Sequence, residues 1–397
     1  MIGNRPPYGF DFADIAPSPL EERDWRVHSL ALDLSGRCNL ACRYCAESAT
    51  LPVNRPSMTE EVLDRAMDLL KESPQPGAHK SIRLGSGEPM LAKSLIRRID
   101  QRLRQDYPVG CNVPQVFITT NGTLLDRATR DWLVQTGWNV KISLDGPAAI
   151  HDRWRITPHG SPTYAKVASA AADLAERIPE RFSVSAVLSR NNDPAEVLSA
   201  IAGLGVRRID MVPVGHPDTA ILPDAKDVLR YCDVAREYAE RFAAGEENLP
   251  DLVRIINAAR RVMGYDVKRI VCGAGRTFLG VGPDGRLYPC FRFIGIESFC
   301  LGNLFQGVSS RALKEFRQNA GRPYDRREDC RKCWASPLCG GPCFAEAALM
   351  GAGDGRPLAL HCKYVKANAE AAIALVQETR RQDPERLLKL LDGLVKI

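Results

Sequence analysis

At 397 residues, 45% hydrophobic and 26% charged, the chain can bury a full core and is neither disordered nor fibrous. Its net charge of +6 comes from Lys and Arg spread along the chain rather than gathered in a run, which argues against a dedicated nucleic-acid surface. No stretch approaches the roughly 18 consecutive apolar residues of a membrane span, and the first 26 residues are polar and Pro-rich rather than a signal peptide, so a cytoplasmic protein with no membrane partner is expected.

Residues 1–27 read as an N-terminal extension too short for a folded module. From there to about residue 220, short apolar runs alternate with helical periods, the pattern of parallel βα units. Six strands are predicted: His28–Leu34, Lys80–Leu84, Gln115–Thr120, Trp138–Ser143, Phe182–Leu188 and Arg207–Val214. Between the first two, Ser57-Met58-Thr59-Glu60 reads as a capping box opening a helix whose apolar face holds Val62, Ala66, Leu69 and Leu70. Right-handed crossovers would curl such units into part of a barrel, with functional loops at the C-terminal ends of the strands.

Residues 221–268 change to helix, roughly Ala225–Ala244 and Pro250–Met263. A Cys-rich second domain follows over 269–364. Within it, Phe278–Val281 and Arg286–Tyr288 flank the turn Gly282-Pro283-Asp284-Gly285, so a hairpin delivers Cys290 at its end. The remainder, 365–397, is expected to be helical, with Asp383-Pro384 capping a last amphipathic helix that carries Leu387, Leu388, Leu391 and Leu394.

Thirteen cysteines in a reducing compartment, on a chain large enough to need no staples, point to metal rather than disulfides. Cys111 and Cys232 stand alone and read as buried apolar residues. Cys38, Cys42 and Cys45 fall in the loop after the first strand, where a βα barrel places its chemistry. Three thiolates at this spacing can hold three irons of a [4Fe–4S] cube and leave the fourth iron without a protein ligand. Zinc is the competing reading, although structural zinc takes four closed ligands and no fourth Cys or His is near in sequence.

In this CxxxCxxC triad the chain resembles the radical SAM superfamily, and the resemblance extends from Leu30 beyond Val214. Tyr44 stands where that family places a residue against the adenine of S-adenosylmethionine (SAM). Ser86-Gly87-Glu88-Pro89 resembles the GGEP motif whose backbone receives the methionine amino group, with Ser in place of the first Gly. Asn121 within Thr120-Asn121-Gly122, and Ser143 and Asp145 within Ser143-Leu144-Asp145-Gly146, close the third and fourth strands as in the family; their plainer reading is turn and cap chemistry.

The later cysteines resemble the SPASM domain, an auxiliary-cluster module of many radical SAM enzymes. By position, Cys330, Cys333, Cys339 and Cys362 would close one [4Fe–4S] cluster, while Cys272, Cys290 and Cys343 would hold three irons of another. Cys300 either fills that gap or is buried, and burial is preferred. The structural alternative is a zinc-binding module that only holds the fold. The resemblance thus implies an α/β fold, a partial (β/α)6 TIM-like barrel followed by a small Cys-rich SPASM domain and C-terminal helices.

It also implies three [4Fe–4S] clusters and SAM as cofactors, reductive cleavage of SAM to a 5′-deoxyadenosyl radical, and hydrogen abstraction from a substrate. The stretch from Cys272 to Phe293 looks like that of maturases that install thioether or carbon–carbon links in ribosomally made peptides. Sulfatase-maturing relatives carry an Asp after the cysteine matching Cys290; Phe291 stands here, which disfavours formylglycine formation. The alternative substrate is a small molecule or a protein side chain, oxidised or epimerised. A reductant such as flavodoxin or ferredoxin is implied, and a leader peptide would be held by a separate protein or by the barrel. No catalytic acid or base is identified; Arg292 and Glu346, near the cluster cysteines, read as surface salt partners.

Overall fold

The computed structural model describes residues 27–50, 55–73, 79–108, 111–350 and 356–392; nearly all of the predicted N-terminal extension, and Leu394 of the last helix, lie outside them. Strands and helices alternate as expected: β1 (Ser29–Leu32), α1 (Ala46–Thr50), α2 (Glu60–Glu72), β2 (Ser81–Leu84), α3 (Lys93–Asp106), β3 (Gln115–Thr120), α4 (Arg127–Thr136), β4 (Asn139–Ser143), α5 (Ala148–Trp154), α6 (Tyr164–Arg177), β5 (Phe182–Leu188), α7 (Pro194–Ala202) and β6 (Arg208–Pro213). β1 to β6 stand side by side, all parallel.

Period-two alternation decides which way each strand faces. Leu30, Leu32, Ile82, Leu84, Val116, Ile118, Val140, Ile142, Val184, Ala186 and Ile209 form the apolar face, and all are buried. The other face carries Ser29, Arg83, Lys141, Ser185 and Asp210, which line an internal cavity. Unlike a complete TIM barrel, whose interior is packed with branched apolar side chains, this one keeps a hollow interior into which these polar strand residues project.

The helix predicted near 250–263 is shorter, α9 (Val253–Val262), because Asp251–Leu252 pairs with β6 as a short strand, β7. The predicted hairpin is present as β8 (Phe278–Val281) and β9 (Arg286–Tyr288). It does not stand apart: β8 pairs in parallel with the free edge of β1, and β9, β10 (Gly302–Asn303) and β11 (Gly307–Val308) continue the same sheet. The sheet stays open, with β11 and β7 as its edges.

The capping box is a correction. Thr59, not Ser57, caps α2, its Oγ1 accepting the Val62 N–H at 3.3 Å, while Ser57 Oγ donates to the Ser35 carbonyl and ties the helix start to the loop after β1. A reciprocal box does occur at α8 (Ala225–Ala243), where Asp224 and Asp227 cap each other's backbone N–H groups. After α10 (Ser310–Gln318) come three short helices, α11 (Glu328–Arg331), α12 (Ser336–Cys339) and α13 (Phe344–Leu349), then α14 (Ala359–Gln382) and α15 (Pro384–Asp392). α14 packs across α8, where Tyr231 donates to Asn368 at 2.6 Å and stacks on Tyr364. In α15, Leu387 is buried and Leu388 is exposed.

Candidate functional site

The loop carrying Cys38, Cys42 and Cys45 is fastened to the chain just after α5: Ala41 N–H donates to the Ile156 carbonyl at 2.8 Å and Arg43 N–H to Trp154 at 3.0 Å. Behind Tyr44 lies a buried knot. Its hydroxyl donates to Asp145 Oδ2, the oxygen that Arg155 Nε also reaches at 2.9 Å, and the Arg155 guanidinium sits 5.3 Å above the Tyr44 ring. Asp145 Oδ1 accepts the Val187 N–H at 3.0 Å. One fully buried carboxylate therefore joins the cysteine loop, the end of β4 and β5. Asn121 Nδ2 points at Cys38 Sγ, 3.7 Å away, and donates to Asn39 at 2.9 Å. Ser143, half-buried, ends β4.

Gly87 has φ +58°, and a Cβ there would stand 2.3 Å from the Arg37 carbonyl, so only glycine lets the two loops approach. Glu88 is a strut: Oε1 accepts Thr120 Oγ1 at 2.7 Å and Met90 N–H at 3.0 Å, and Oε2 accepts Asn121 N–H at 2.7 Å. Burial pushes its carboxyl up in pKa, and these bonds pull it back. Pro89 then opens a 3-10 turn. Sequence reading missed Glu47, whose carboxylate accepts Gly87 N–H at 2.8 Å and Ser86 Oγ at 3.1 Å; its place two residues past Cys45 was the available signal. It also missed Asp33, fully buried at the end of β1 and paired with Arg55 at 2.9 Å.

A single cavity of about 2100 Å³ runs from the first cysteine loop to the Cys-rich region. Nine of the ten candidate ligand cysteines line it, Cys38 being the exception. By mutual electrostatic influence the thiols fall into three sets. Cys38 feels Cys42 and Cys45; Cys290 feels Cys343 and Cys272; Cys339 feels Cys362, Cys330 and Cys333. Burial, then neighbouring thiols, pushes Cys38, Cys290 and Cys339 up to about 12; burial also lifts Cys42 and Cys362 to about 11. Left alone these groups stay protonated at neutral pH, so whatever binds them as thiolates must release protons. Three sets of soft sulfur donors around one large cavity suit iron–sulfur clusters. Among the described residues no three Cys, His, Asp or Glu converge on one point as single-ion ligands do, whereas a cubane spreads its thiolates over its corners.

Cys300 does not line the cavity; its Sγ points to the Gly302 carbonyl at 3.4 Å. The isolated cysteines need correction: Cys111 is exposed, in the loop before β3, and Cys232 is only half-buried, on the cavity wall. Arg292 and Glu346 are salt partners, at 2.6 Å, but inside the cavity rather than on the outer surface. Arg292 also reaches Cys343 Sγ at 3.4 Å, and Glu346 bonds His361 Nδ1 at 2.5 Å. Burial raises the Glu346 carboxyl, but His361 and Arg292 outweigh it and hold the group at about 2.

Residues 32–210 match the Radical SAM superfamily, and residues 272–334 match the SPASM iron–sulfur cluster-binding domain. The serine-type anaerobic sulfatase-maturating enzyme of Klebsiella aerogenes is 26% identical over 83% of this chain and 82% of its own. The PqqA peptide cyclase of Xanthomonas axonopodis pv. citri is 26% identical over 93% of this chain and 94% of its own. In three dimensions the chain is similar to native anSMEcpe with bound AdoMet, at TM-score 0.71 and 22% identity over 92% of this chain and all of that one, a likeness of fold. The two matches fall on the parallel strands and on the hairpin with its thiols, and the chain belongs to the radical SAM superfamily, as an enzyme that uses [4Fe–4S] clusters and SAM.

Proposed function

We propose that this enzyme oxidises or cross-links a ribosomally made peptide held in the central cavity, forming a thioether or carbon–carbon bond. The observation that carries the reading is that one cavity joins the first cysteine loop to both later thiol sets, so a substrate segment can meet the radical source at one end and an electron acceptor at the other. The curated names of two relatives, a sulfatase-maturating enzyme and a peptide cyclase, support a peptide substrate. Residues 28–220 would serve the SAM chemistry and 269–364 the auxiliary clusters, with 221–268 and 365–397 as helical scaffold.

Cys38, Cys42 and Cys45 would hold three irons of the SAM cluster. Cys272, Cys290 and Cys343 would hold three of one auxiliary cluster, and Cys330, Cys333, Cys339 and Cys362 would close the other. When bound, cluster and SAM supply the one-electron break of the S–C5′ bond that gives a hydrogen-abstracting radical. Tyr44 offers its ring to the adenine, with its hydroxyl already held by Asp145. Ser86 and Gly87 would offer backbone carbonyls to the methionine amino group, while the Gly87 N–H is held by Glu47. Pro89 fixes that turn; Glu88, Asn121, Ser143 and Asp145 hold the surrounding loops in place. The setting is the cytoplasm, where thiols stay reduced, with flavodoxin or ferredoxin as electron donor and a separate protein for any leader peptide.

The test is isotopic. Candidate precursor peptides deuterated at single positions are incubated anaerobically with SAM, reductant and reconstituted enzyme. One of them should pass its deuterium to 5′-deoxyadenosine; transfer from a small metabolite, and from no peptide, would replace this reading.

A further inference from the structure

Among the described residues the cavity wall carries eleven Lys and Arg side chains against five Asp and Glu, which favours an anionic occupant over a cationic one. One group of these charges stands where β4, β6 and α9 meet. Asp210, on the inner face of β6, accepts Lys141 Nζ through Oδ2 at 3.0 Å and Arg254 Nε through Oδ1 at 2.7 Å. Burial raises the Asp210 carboxyl, but the two cations outweigh it and hold the group well below the usual carboxylate range. One negative charge is thus shared by two positive ones, and the cluster keeps an excess of positive charge. Glu346, whose charge Arg254 also feels, is taken by Arg292 and His361 at 2.6 and 2.5 Å.

Arg254 is bound through Nε alone. Among the described residues neither of its terminal nitrogens has a hydrogen-bond partner, and 53% of its side-chain surface is open, against 22% for Lys141 and 10% for Asp210. Arg254 lines the cavity, and so does Asn257, one turn along α9 on the same face; the half-buried Asn257 amide has no partner among the described residues either. Arg261, two turns along, differs, since its Nη1 is taken up by the Leu338 carbonyl at 2.5 Å. A guanidinium that serves only as a brace gains most by bonding its carboxylate with two N–H groups. Here one bond orients the group, and the rigid fork that matches a carboxylate is left over. We infer that Arg254 and Asn257 form a recognition subsite for a carboxylate of the substrate, held in position by Asp210 and Lys141, so that the peptide segment entering the cavity carries an acidic side chain or ends there. The inference rests on the proposed role of the cavity as a substrate chamber. Its rival is that the cluster only braces α9 against β4 and β6.

The test uses reconstituted holoenzyme and equilibrium binding of four probes: the acetylated amide Gly-Gly-Glu-Gly-Gly, its Gln counterpart, that Gln peptide with a free C-terminal carboxylate, and glutarate. At least one of the two carboxylate-bearing peptides should bind about tenfold tighter than the neutral one, and which of them does so tells a side chain from a chain terminus. Arg254→Gln should shrink that preference to within about twofold, and Arg254→Lys should keep part of it. Asn257→Ala, which removes no bond within the protein, should lower it about threefold with iron content and unfolding midpoint unchanged. Equal binding of all three peptides by the unaltered enzyme overturns the subsite and leaves the peptide reading standing. A preference that survives Arg254→Gln and Asn257→Ala, while the unfolding midpoint of Arg254→Gln falls, is the mark of a brace and also overturns it. If Arg254→Gln does not fold, a preference undiminished in both Arg254→Lys and Asn257→Ala has the same meaning. Saturable glutarate binding that Arg254→Gln abolishes, without binding of any peptide, supports the subsite and contradicts the peptide reading. No saturable binding of any probe overturns the subsite.

Discussion

Asp145 shows how much of this site is held by side chains that need never touch a substrate. It is fully buried and bonded to Tyr44, Arg155 and Val187 at once. Asp145→Asn strips Arg155 of its only carboxylate at that knot, and breaking a buried pair from one side costs about 3–5 kcal/mol. Tyr44→Phe leaves the pair intact and should cost only about 1 kcal/mol; urea melts of the two variants should differ by that margin. Next to the knot, His151 Nδ1 accepts the Asp145 N–H and Nε2 meets Thr163 at 3.0 Å. The ring is therefore neutral, and burial lowers its pKa to about 4. The unfolded ring titrates near 6.5, so the unfolded state binds the extra proton between pH 6.5 and 4, and stability falls as pH falls through that window. Between pH 7 and 5 the loss from this residue should be about 2 kcal/mol, absent in His151→Gln, read by urea melts of the apoprotein at both pH values. The motif residues Tyr44, Glu88 and Asp145 were legible because they stand at fixed places after strands. Arg155 and Glu47 were not, because a lone Arg or Glu carries no local sign of its partner, which lies 10 residues away for Arg155 and 40 for Glu47.

The strands of the barrel were legible almost to the residue, since each is an apolar run with period-two alternation bounded by turn residues. β3 and β5 keep their predicted limits, and β1, β2, β4 and β6 lose only terminal residues where pairing stops. What local pattern does not encode is pairing at long range. The hairpin reads as the start of a separate unit, yet Ser29 of β1 faces Phe278 of β8 across the sheet. That pairing brings Cys290 to the cavity, and it depends on a glycine: a Cβ on Gly280 would stand 2.7 Å from the Cys290 carbonyl group. Gly280→Val should push Cys290 off its position and lower the iron by about four per chain, while the cluster at the first cysteine loop persists; iron assay and EPR of the reduced protein check both halves. In α14, Asn368→Ala leaves the Tyr231 hydroxyl buried and unpaired, and should cost about 1–3 kcal/mol in thermal or urea unfolding.

At the scale of the molecule, a hollow interior sits between an apolar sheet face packed under helices and a Cys-rich cap that extends the same sheet. The cysteine spacing showed that metal was wanted and in which groups; it did not show that all the groups open on one chamber, a property of the packing of β1 to β6 against the hairpin and α14. The account stands on Cys38, Cys42 and Cys45 holding a cluster that serves SAM. Its most direct test compares anaerobically reconstituted native protein with Cys42→Ala, measuring iron and 5′-deoxyadenosine formed from SAM after reduction. The native protein should carry about twelve irons and form 5′-deoxyadenosine, and the variant should lose about four irons and all of that activity. A variant that keeps cleaving SAM with its iron intact would contradict the account.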